Sequence, residues 1–276
     1  MSAAAENRAP RELARVARAS RRSRYVAVAR TVAWRNLHSV IRTPALLLPP
    51  LAFPLFFYMA FAGGLSTVSN LPGFDYYDYN AFQFVFVLLQ SAAFGGVFIG
   101  FSIAADFDLG FTRRLFLAAR DRSAVIAGYG IAALIRAAFV WAVVFAIALA
   151  TGMDVGGDGI DLVGLVGLAL IVNVAAFLFA AGMMTRLRTL QAAPAMQIPV
   201  FMVLMTAPVY VPRDLLGGWI ATVSQFNPAT AILESGRSLI AGDPFHVALA
   251  FVAASGLGAV LAVFAGRGLR QAEAAG

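Results

Sequence analysis

The sequence contains no cysteine and no lysine, and its two histidines are His38 and His246. Without cysteine the chain forms no disulfide bond and has no thiol chemistry. A P-loop ATPase needs a lysine that reaches the nucleotide phosphates, so that class of enzyme is excluded. The same scarcity argues against a His/Cys metal site, and no G-x-S-x-G motif marks a serine nucleophile. We therefore expect no catalytic centre, metal site or cofactor in this chain.

Charge is scarce as well, because 13% of the residues are charged while 61% are hydrophobic. This composition differs strongly from that of soluble globular domains. The apolar residues are concentrated in six runs, each near the ~20 residues that a helix needs to cross a bilayer. The runs cover residues 44–66, 82–105, 128–150, 161–184, 194–212 and 244–266. The sequence predicts an all-α membrane protein with six transmembrane helices.

The arginines lie on one side of these predicted spans. Ten of the 21 precede the first span, and others follow the second, fourth and sixth spans. The loops on the opposite side, residues 67–80 and 152–160, carry only acidic charges. Loops rich in arginine remain cytoplasmic, so we expect both termini in the cytoplasm. A pI near 10.5 also occurs in nucleic-acid-binding proteins, but here the basic residues are dispersed along membrane-flanking segments, which argues against a nucleic acid partner.

The region before the first span has two parts. Residues 1–24 are basic and rich in alanine, which predicts a basic cytoplasmic tail. In residues 25–43, apolar side chains recur at helical spacing between arginines. This pattern predicts an amphipathic helix in the membrane interface, with Tyr25 and Trp34 as anchors at headgroup level. A solvated helix before the membrane is the alternative. Residues 44–276 form the predicted transmembrane domain.

Prolines interrupt the first and fifth spans. The first span carries Pro49, Pro50 and Pro54, and the fifth carries Pro194, Pro199 and Pro208. Each proline removes a backbone donor and bends or breaks its helix. Between spans five and six, residues 209–243 are apolar but are divided by prolines and glycines into pieces too short to cross a membrane. Such pieces predict re-entrant or interfacial helices. Since the sixth span returns the chain to the cytoplasm, we expect these helices on the outer side.

The loop between spans two and three carries a second pattern. After Asp106, Asp108 and Gly110, basic and apolar residues alternate up to residue 123 as they do in an amphipathic helix. Such a helix can present Leu115 and Phe116 to a groove of a partner while its arginines set the register. An ordinary basic loop that only fixes the topology explains the same residues equally well.

These features, in this order, resemble the ABC-2 family of membrane subunits of ABC exporters, from about residue 26 onwards. In that family, the loop after the second span typically has an acidic residue, a glycine, Arg-Leu-Leu, and Thr-Pro before Ser-Arg. The matching residues here are Asp106, Asp108, Gly110, Arg114, Leu115, Phe116 and Arg122. Ala118 and Ala119 stand where Thr-Pro is usual. After the fifth span, the family often has a proline-led outer segment, Asn-Pro, and then an acid and an arginine. The matching residues are Pro212, Asn227, Pro228, Glu234 and Arg237.

The resemblance implies specific partners. It implies two copies of a separate ABC ATP-binding subunit, which bind ATP and Mg²⁺, and a second permease subunit that completes a homodimer or a heterodimer. The residues implied to couple this chain to the ATPase are Asp106, Asp108, Gly110, Arg113, Arg114, Leu115, Phe116, Arg120 and Arg122. The residues implied to form an outer re-entrant gate are Pro212, Asn227, Pro228, Glu234 and Arg237. Since Glu234 and Arg237 are three residues apart, they share a helix face and are expected to pair with each other or with the partner subunit.

The expected function is export of a hydrophobic or amphipathic compound, drug-like or lipid-like, across the bacterial plasma membrane. By resemblance, spans one, two and five line the route, and their Phe and Met content suits such a compound. Export of a polysaccharide or wall glycan is the alternative within the family. A carrier that works without ATP belongs to a different class, and the scarcity of acidic residues in the spans argues against it.

Overall fold

A computed structural model of the protein describes residues 8–43, 48–76, 78–111 and 121–274. Within these residues every regular element is helical, which confirms the predicted all-α class. The α-helices are α1 (Arg8–Arg42), α2 (Leu48–Gly64), α3 (Tyr79–Asp108), α4 (Arg122–Ala150), α5 (Gly159–Leu187), α6 (Ala193–Met205), α7 (Gly218–Phe226), α8 (Pro228–Ala241) and α9 (Val247–Ala274). Short 3-10 helices lie at Ser66–Asn70, Leu190–Ala192 and Arg213–Leu215.

Four of these helices, α3, α4, α5 and α9, are long and apolar enough to cross a membrane. They contain the second, third, fourth and most of the sixth predicted spans. Helices α2 and α6 are shorter, with 17 and 13 residues. Both contain a proline, Pro54 in α2 and Pro199 in α6. Helix α6 ends at Met205, before Pro208, whereas the fifth apolar run continues to residue 212. Pro208 has no backbone N–H and disfavours helical geometry in the residue before it, so the helix stops there.

Helix α3 lies at the centre of the bundle. In its most apolar 18-residue stretch 83% of the residues are buried, against 39% in α4 and in α5 and 11% in α9. It packs against α2, α4, α5, α6 and α8. The ring of Phe86 lies 6.3 Å from that of Phe57 and 6.2 Å from that of Phe61, which are both in α2. The aromatic residues of the second predicted span are therefore mainly core residues of this chain.

A glycine brings α3 and α5 into close contact. A Cβ at Gly96 would lie 2.5 Å from the backbone nitrogen of Phe177 and 2.6 Å from the carbonyl oxygen of Asn173, so no larger residue fits there. The amide nitrogen of Asn173 donates a hydrogen bond to the carbonyl of Ala92 (2.8 Å). Small residues permit this close helix approach, and interhelical hydrogen bonds strengthen it in a membrane.

The two ends of the bundle carry opposite charges. Loops 65–78 and 151–158 meet where the backbone N–H of Asp154 donates to the carboxylate of Asp78 (3.1 Å). We call this the acidic end. At the other end, where α5 and α9 finish, Arg186 donates to the carbonyl of Phe264 (3.0 Å) and lies over its ring. We call this the arginine-rich end.

The helix predicted over residues 25–43 is part of the longer α1, which begins at Arg8. Its side chains are described from Arg22 onwards. Ala29 and Val32 are buried and face Gly128 of α4, where a Cβ would lie 2.6 Å from the carbonyl of Ala29. Trp34 is 65% exposed. Helix α1 therefore packs one face on α4, and most of the described side chains on its other face are exposed.

Helices α7 and α8 form a helical hairpin with its tip at Asn227, which we call the hairpin. The segment before α7 lies at the acidic end, because Tyr79 donates to the carbonyl of Tyr210 (3.3 Å). Helix α8 returns to that end, where the N–H groups of Gly156 and Gly157 donate to the carbonyl of Ile240 (3.0 Å each). Between these points the tip borders the same cavity as Val172. Val172 is thirteen residues into α5, about 20 Å along the helix at 1.5 Å per residue.

Candidate functional site

An arginine, an aspartate and a tyrosine from three helices meet at the arginine-rich end. The guanidinium of Arg35 in α1 donates two hydrogen bonds to the carboxylate of Asp106 in α3, at 2.8 and 2.5 Å. The hydroxyl of Tyr129 in α4 donates to the same carboxylate. Asp106 is 6% exposed, while Arg35 is half-buried. Bidentate arginine–carboxylate pairs are strong and directional. We call these three residues the junction.

The surroundings of Arg35 strengthen the junction. Its guanidinium lies 3.7 Å from the centre of the Phe111 ring, a cation–π geometry. Its hydrogen bonds with Asp106 raise the pKa of the Arg35 guanidinium, so it stays charged. Asp106 was expected to belong to the ATPase-coupling segment, and its carboxylate is bonded within the chain. It therefore fixes the point at which that segment leaves the bundle.

Two further residues of the predicted coupling segment shape the end of α3. The carboxylate of Asp108 accepts a hydrogen bond from the backbone N–H of Leu190 (3.0 Å) and so joins α3 to the turn between α5 and α6. Gly110 has φ +69°, a left-handed conformation that glycine adopts without strain at the end of a helix. Arg122 is the first residue of α4. Arg113, Arg114, Leu115, Phe116 and Arg120 lie outside the described residues.

At the acidic end, Arg237 of α8 is fully buried, with 0% exposure. Its guanidinium donates to three backbone carbonyls: Phe82 (3.2 Å), Pro208 (2.7 Å) and Val209 (3.1 Å). It also lies 3.3 Å from the centre of the Phe82 ring. A buried charge is tolerated only where hydrogen bonds replace its hydration. Arg237 therefore joins the hairpin of α7 and α8, the start of α3 and the segment after α6, and we call this arrangement the clasp.

The carbonyls in the clasp need partners because helix α6 ends early. Beyond Met205 the chain is no longer α-helical, and a buried carbonyl without a hydrogen bond is costly. The side chain of Gln83 supplies a second donor to the carbonyl of Val209 (3.2 Å) and another to the hydroxyl of Tyr79 (2.8 Å). Arg237 and Gln83 together stabilise a non-helical segment inside the bundle.

Glu234, which is expected to pair with Arg237 or with the partner subunit, interacts with Arg237 through charge. Glu234 is half-buried, and among the described residues its carboxylate makes no hydrogen bond or ion pair. The charged groups that act on its carboxylate are Arg213, Arg237, Asp214 and His246. The two α8 residues thus differ in their contacts, since Arg237 binds backbone carbonyls of this chain while Glu234 interacts with its described neighbours through charge.

The Asn-Pro pair forms the tip of the hairpin of α7 and α8. The side-chain oxygen of Asn227 accepts a hydrogen bond from the N–H of Ala229 (2.9 Å) and caps α8, and Pro228 occupies the first helical position that suits proline. The side-chain nitrogen of Asn227 donates to the carbonyl of Val203 (2.6 Å) and to the hydroxyl of Thr206 (3.0 Å). Pro212 precedes the 3-10 helix that leads towards α7.

Replacing Asn227 by alanine is expected to lower the free energy of unfolding by about 1–2 kcal/mol. The variant loses a helix cap, worth about 0.5–2 kcal/mol, one hydrogen bond to Val203 of α6 and one to Thr206, which follows α6. Denaturant titration of the purified protein in detergent measures this change. Asn70→Ala is the matched control, because Asn70 is exposed in the acidic-end loop. Equal stability of the two variants would show that the cap does not hold the tip.

Helices α2, α6 and α7 each expose large apolar side chains. They are Leu48, Phe56, Met59, Ile198, Met202, Val203, Trp219, Val223 and Phe226. Helices α2 and α6 contain no charged residue. Among the described residues, no cluster of three or more His, Asp or Glu side chains has the arrangement of a metal site. These exposed apolar side chains are thus suited to contacts with lipid, another subunit or an apolar compound.

A family model described as ABC-2 type transporter matches residues 28–241. The match runs from the second half of α1 to the end of α8, and includes the junction and the clasp. The chain matches no curated protein.

Proposed function

The chain belongs to the ABC-2 type transporter family, and on this basis we propose that it is the permease subunit of an ATP-driven exporter of hydrophobic or amphipathic compounds. Its family and its four membrane-length helices make it a multi-pass membrane component of a transporter. Coupling to ATP hydrolysis, the outward direction of transport and the nature of the compound do not follow from family membership alone and are part of the proposal.

In the proposed topology the chain crosses the bacterial inner membrane six times with both termini in the cytoplasm. Helices α2 and α6 cross as shortened helices that non-helical residues complete. Two observations support this arrangement. The segment after α6 has its buried carbonyls bonded to Arg237 and Gln83, which a non-helical chain in a membrane requires. The arginines also gather at the end of the bundle that is proposed to be cytoplasmic.

The coupling segment from Asp106 to Arg122 is proposed to dock on a separate ABC ATP-binding subunit. Two copies of that subunit bind ATP and Mg²⁺, and this chain holds no cofactor. The junction supports the proposal because it connects this segment to three helices. Since Arg35 and Tyr129 both bind Asp106, a displacement of the segment moves α1, α3 and α4 together. ATP then biases the spans between two states through contacts that differ between those states.

The observation that supports the proposed class of substrate is the uncharged, exposed surface of α2 and α6. A second permease subunit, identical or different, would place a matching face opposite this one. Phe56 and Met59 are 68% and 66% exposed, and Met202 is 56% exposed. Methionine adapts its shape to irregular apolar partners. A route between two such faces suits a hydrophobic drug or a lipid-like compound and has few groups that would bind a sugar.

Co-purification and ATP hydrolysis in proteoliposomes test the proposal. The chain is expected to co-purify with an ABC ATPase, and apolar compounds from a mixed panel are expected to stimulate hydrolysis. Stimulation by oligosaccharides alone would favour a glycan exporter instead. Transport by the purified chain without any ATPase would overturn the coupling.

Leu115→Asp is expected to abolish both co-purification and substrate-stimulated hydrolysis. The substitution puts a charge on the apolar face that is proposed to enter the ATPase groove, and a buried unpaired charge is strongly unfavourable. Leu71→Asp serves as the matched control, since Leu71 is 49% exposed in the acidic-end loop. If Leu115→Asp left binding and stimulation intact, the coupling assignment would be wrong.

A further inference from the structure

A cavity of about 230 Å³ lies between α3, α5, α6, α8 and α9. All nineteen residues that line it are Ala, Val, Leu, Ile, Phe or Pro. Phe86 of α3 and Phe179 of α5 lie on its walls, and Pro228 and Leu233 come from the hairpin. The ring of Phe179 stacks with that of Phe264 at 6.3 Å. This cavity lies within one subunit and is separate from both the junction and the clasp.

Water is a poor occupant of this cavity. A buried water needs two to four polar partners, and none of the side chains that line the cavity has a polar group. An empty cavity is also unfavourable, because its wall atoms lose their dispersion contacts. The volume exceeds the ~150 Å³ of an engineered apolar cavity that stays dry and binds benzene. A hydrocarbon is therefore the occupant that best matches the apolar walls of the cavity.

The mouth of the cavity opens sideways between α6 and α9. Val203 of α6 and Leu257 of α9 both line the cavity and are 43% and 39% exposed. Leu257 lies ten residues after Val247, where α9 begins, and ten residues before Arg267. Each distance corresponds to about 15 Å of helix. The hydrocarbon core of a bilayer is about 30 Å thick, so the mouth lies near its midplane.

The surroundings of the mouth identify the source of the hydrocarbon. Only 11% of the residues in the most apolar stretch of α9 are buried by the chain, so this helix is mostly surrounded by membrane. At the midplane, the molecules that meet such a helix are the ends of lipid chains. From the volume, the apolar walls and the depth of the mouth, we infer that the cavity binds one acyl chain of a membrane phospholipid, inserted between α6 and α9.

This lipid would contact two helices of the protein at their prolines. Pro199 in α6 and Pro228 at the tip of the hairpin both line the cavity. Residues of α6, α8 and α9 on different sides of the cavity would all contact the acyl chain when it is bound. The lipid therefore stabilises the position of the hairpin against α6, and this role is independent of ATP and of the exported compound.

Two matched substitutions test the inference. Ala254→Phe places a ring in the cavity, because Ala254 is buried and lines it. Ala259→Phe makes the same change at an exposed position on α9. Each protein is incorporated into nanodiscs of one synthetic phospholipid, and the lipid retained after release is counted by native mass spectrometry. Wild type and Ala259→Phe are expected to retain one phospholipid per chain, and Ala254→Phe at least tenfold less.

A second pair keeps the test valid if Ala254→Phe does not fold. Val203→Trp covers the mouth from an exposed position, and Val252→Trp is its control, at 69% exposure and outside the cavity. Loss of the retained lipid in Val203→Trp alone supports the inference. Equal retention in a folded cavity variant and its control, no retained lipid in wild type, or retention of a molecule other than the phospholipid would each overturn it. The readout needs neither ATP nor a partner, so it is independent of the proposed function.

Discussion

Replacing Arg237 by methionine is expected to lower the free energy of unfolding by roughly 3 kcal/mol. Methionine fills a similar volume without a donor, so the carbonyl of Pro208 is left without the guanidinium that binds it at 2.7 Å. A buried polar group without a partner costs about 1–3 kcal/mol, and hydrogen bonds to charged groups contribute about 1.5–3 kcal/mol each. The removal of a buried charge offsets part of this loss, but three carbonyls lose a donor at once.

Thermal and denaturant unfolding of the purified protein in detergent measure the effect. Arg213→Met is the matched control, because Arg213 is exposed in the segment before α7. Arg237→Lys is expected to fall between wild type and Arg237→Met, since an ammonium cannot reproduce the fork of donors that a guanidinium offers. If Arg237→Met were as stable as Arg213→Met, the clasp would not be what stabilises the segment after α6.

Replacing Asp106 by asparagine is expected to lower the free energy of unfolding by about 2 kcal/mol. Asparagine keeps the size of the side chain but loses the negative charge and one acceptor oxygen. The two charge-assisted bonds from Arg35 and the bond from Tyr129 then compete for a single oxygen. Bonds to a charged partner contribute about 1.5–3 kcal/mol, and the half-exposed position of Arg35 reduces that value through screening.

The same substitution is expected to reduce substrate-stimulated ATP hydrolysis severalfold while leaving co-purification with the ATPase intact. The loosened junction no longer transmits a displacement of the coupling segment to α1 and α4. Asp75→Asn is the control, because Asp75 is exposed in the acidic-end loop. Unchanged stimulation in a folded Asp106→Asn protein would show that the junction only supports the fold.

The apolar runs and the positions of prolines were sufficient to predict most of the helices. Four of the six predicted spans correspond to helices of membrane-spanning length, because an uninterrupted apolar run in a bilayer has no alternative to the helix. The first and fifth runs correspond to shorter helices. Composition alone does not determine where a proline-containing helix ends, since this depends on whether other residues bind the carbonyls that are released, as Arg237 and Gln83 do here.

The contacts of the site residues could not be predicted in the same way. Spacing placed Glu234 and Arg237 on one helix face, which favours a local pair, but the clasp joins residues more than 150 positions apart. In the sequence, Arg35 is one of several arginines between apolar residues in the segment 25–43. Nothing in the order of residues indicates that it meets Asp106, which lies 71 positions away. Such pairs depend on the packing of α1 and α4 around α3.

The junction and the clasp lie at opposite ends of one helix. Asp106 and Phe82 are both in α3, separated by 24 residues, or about 36 Å of rod. Gly96 lies near the middle of this length, where it allows the close contact with α5, so α3 could pivot at that point. In the proposed complex, a tilt of a few degrees that the ATPase imposes at the Asp106 end of α3 would displace the Phe82 end by about an ångström, and Arg237 would pass that displacement to the hairpin. The proposed coupling segment and the proposed outer gate would then move as the two ends of one rigid helix, with no need for α3 to bend or unwind.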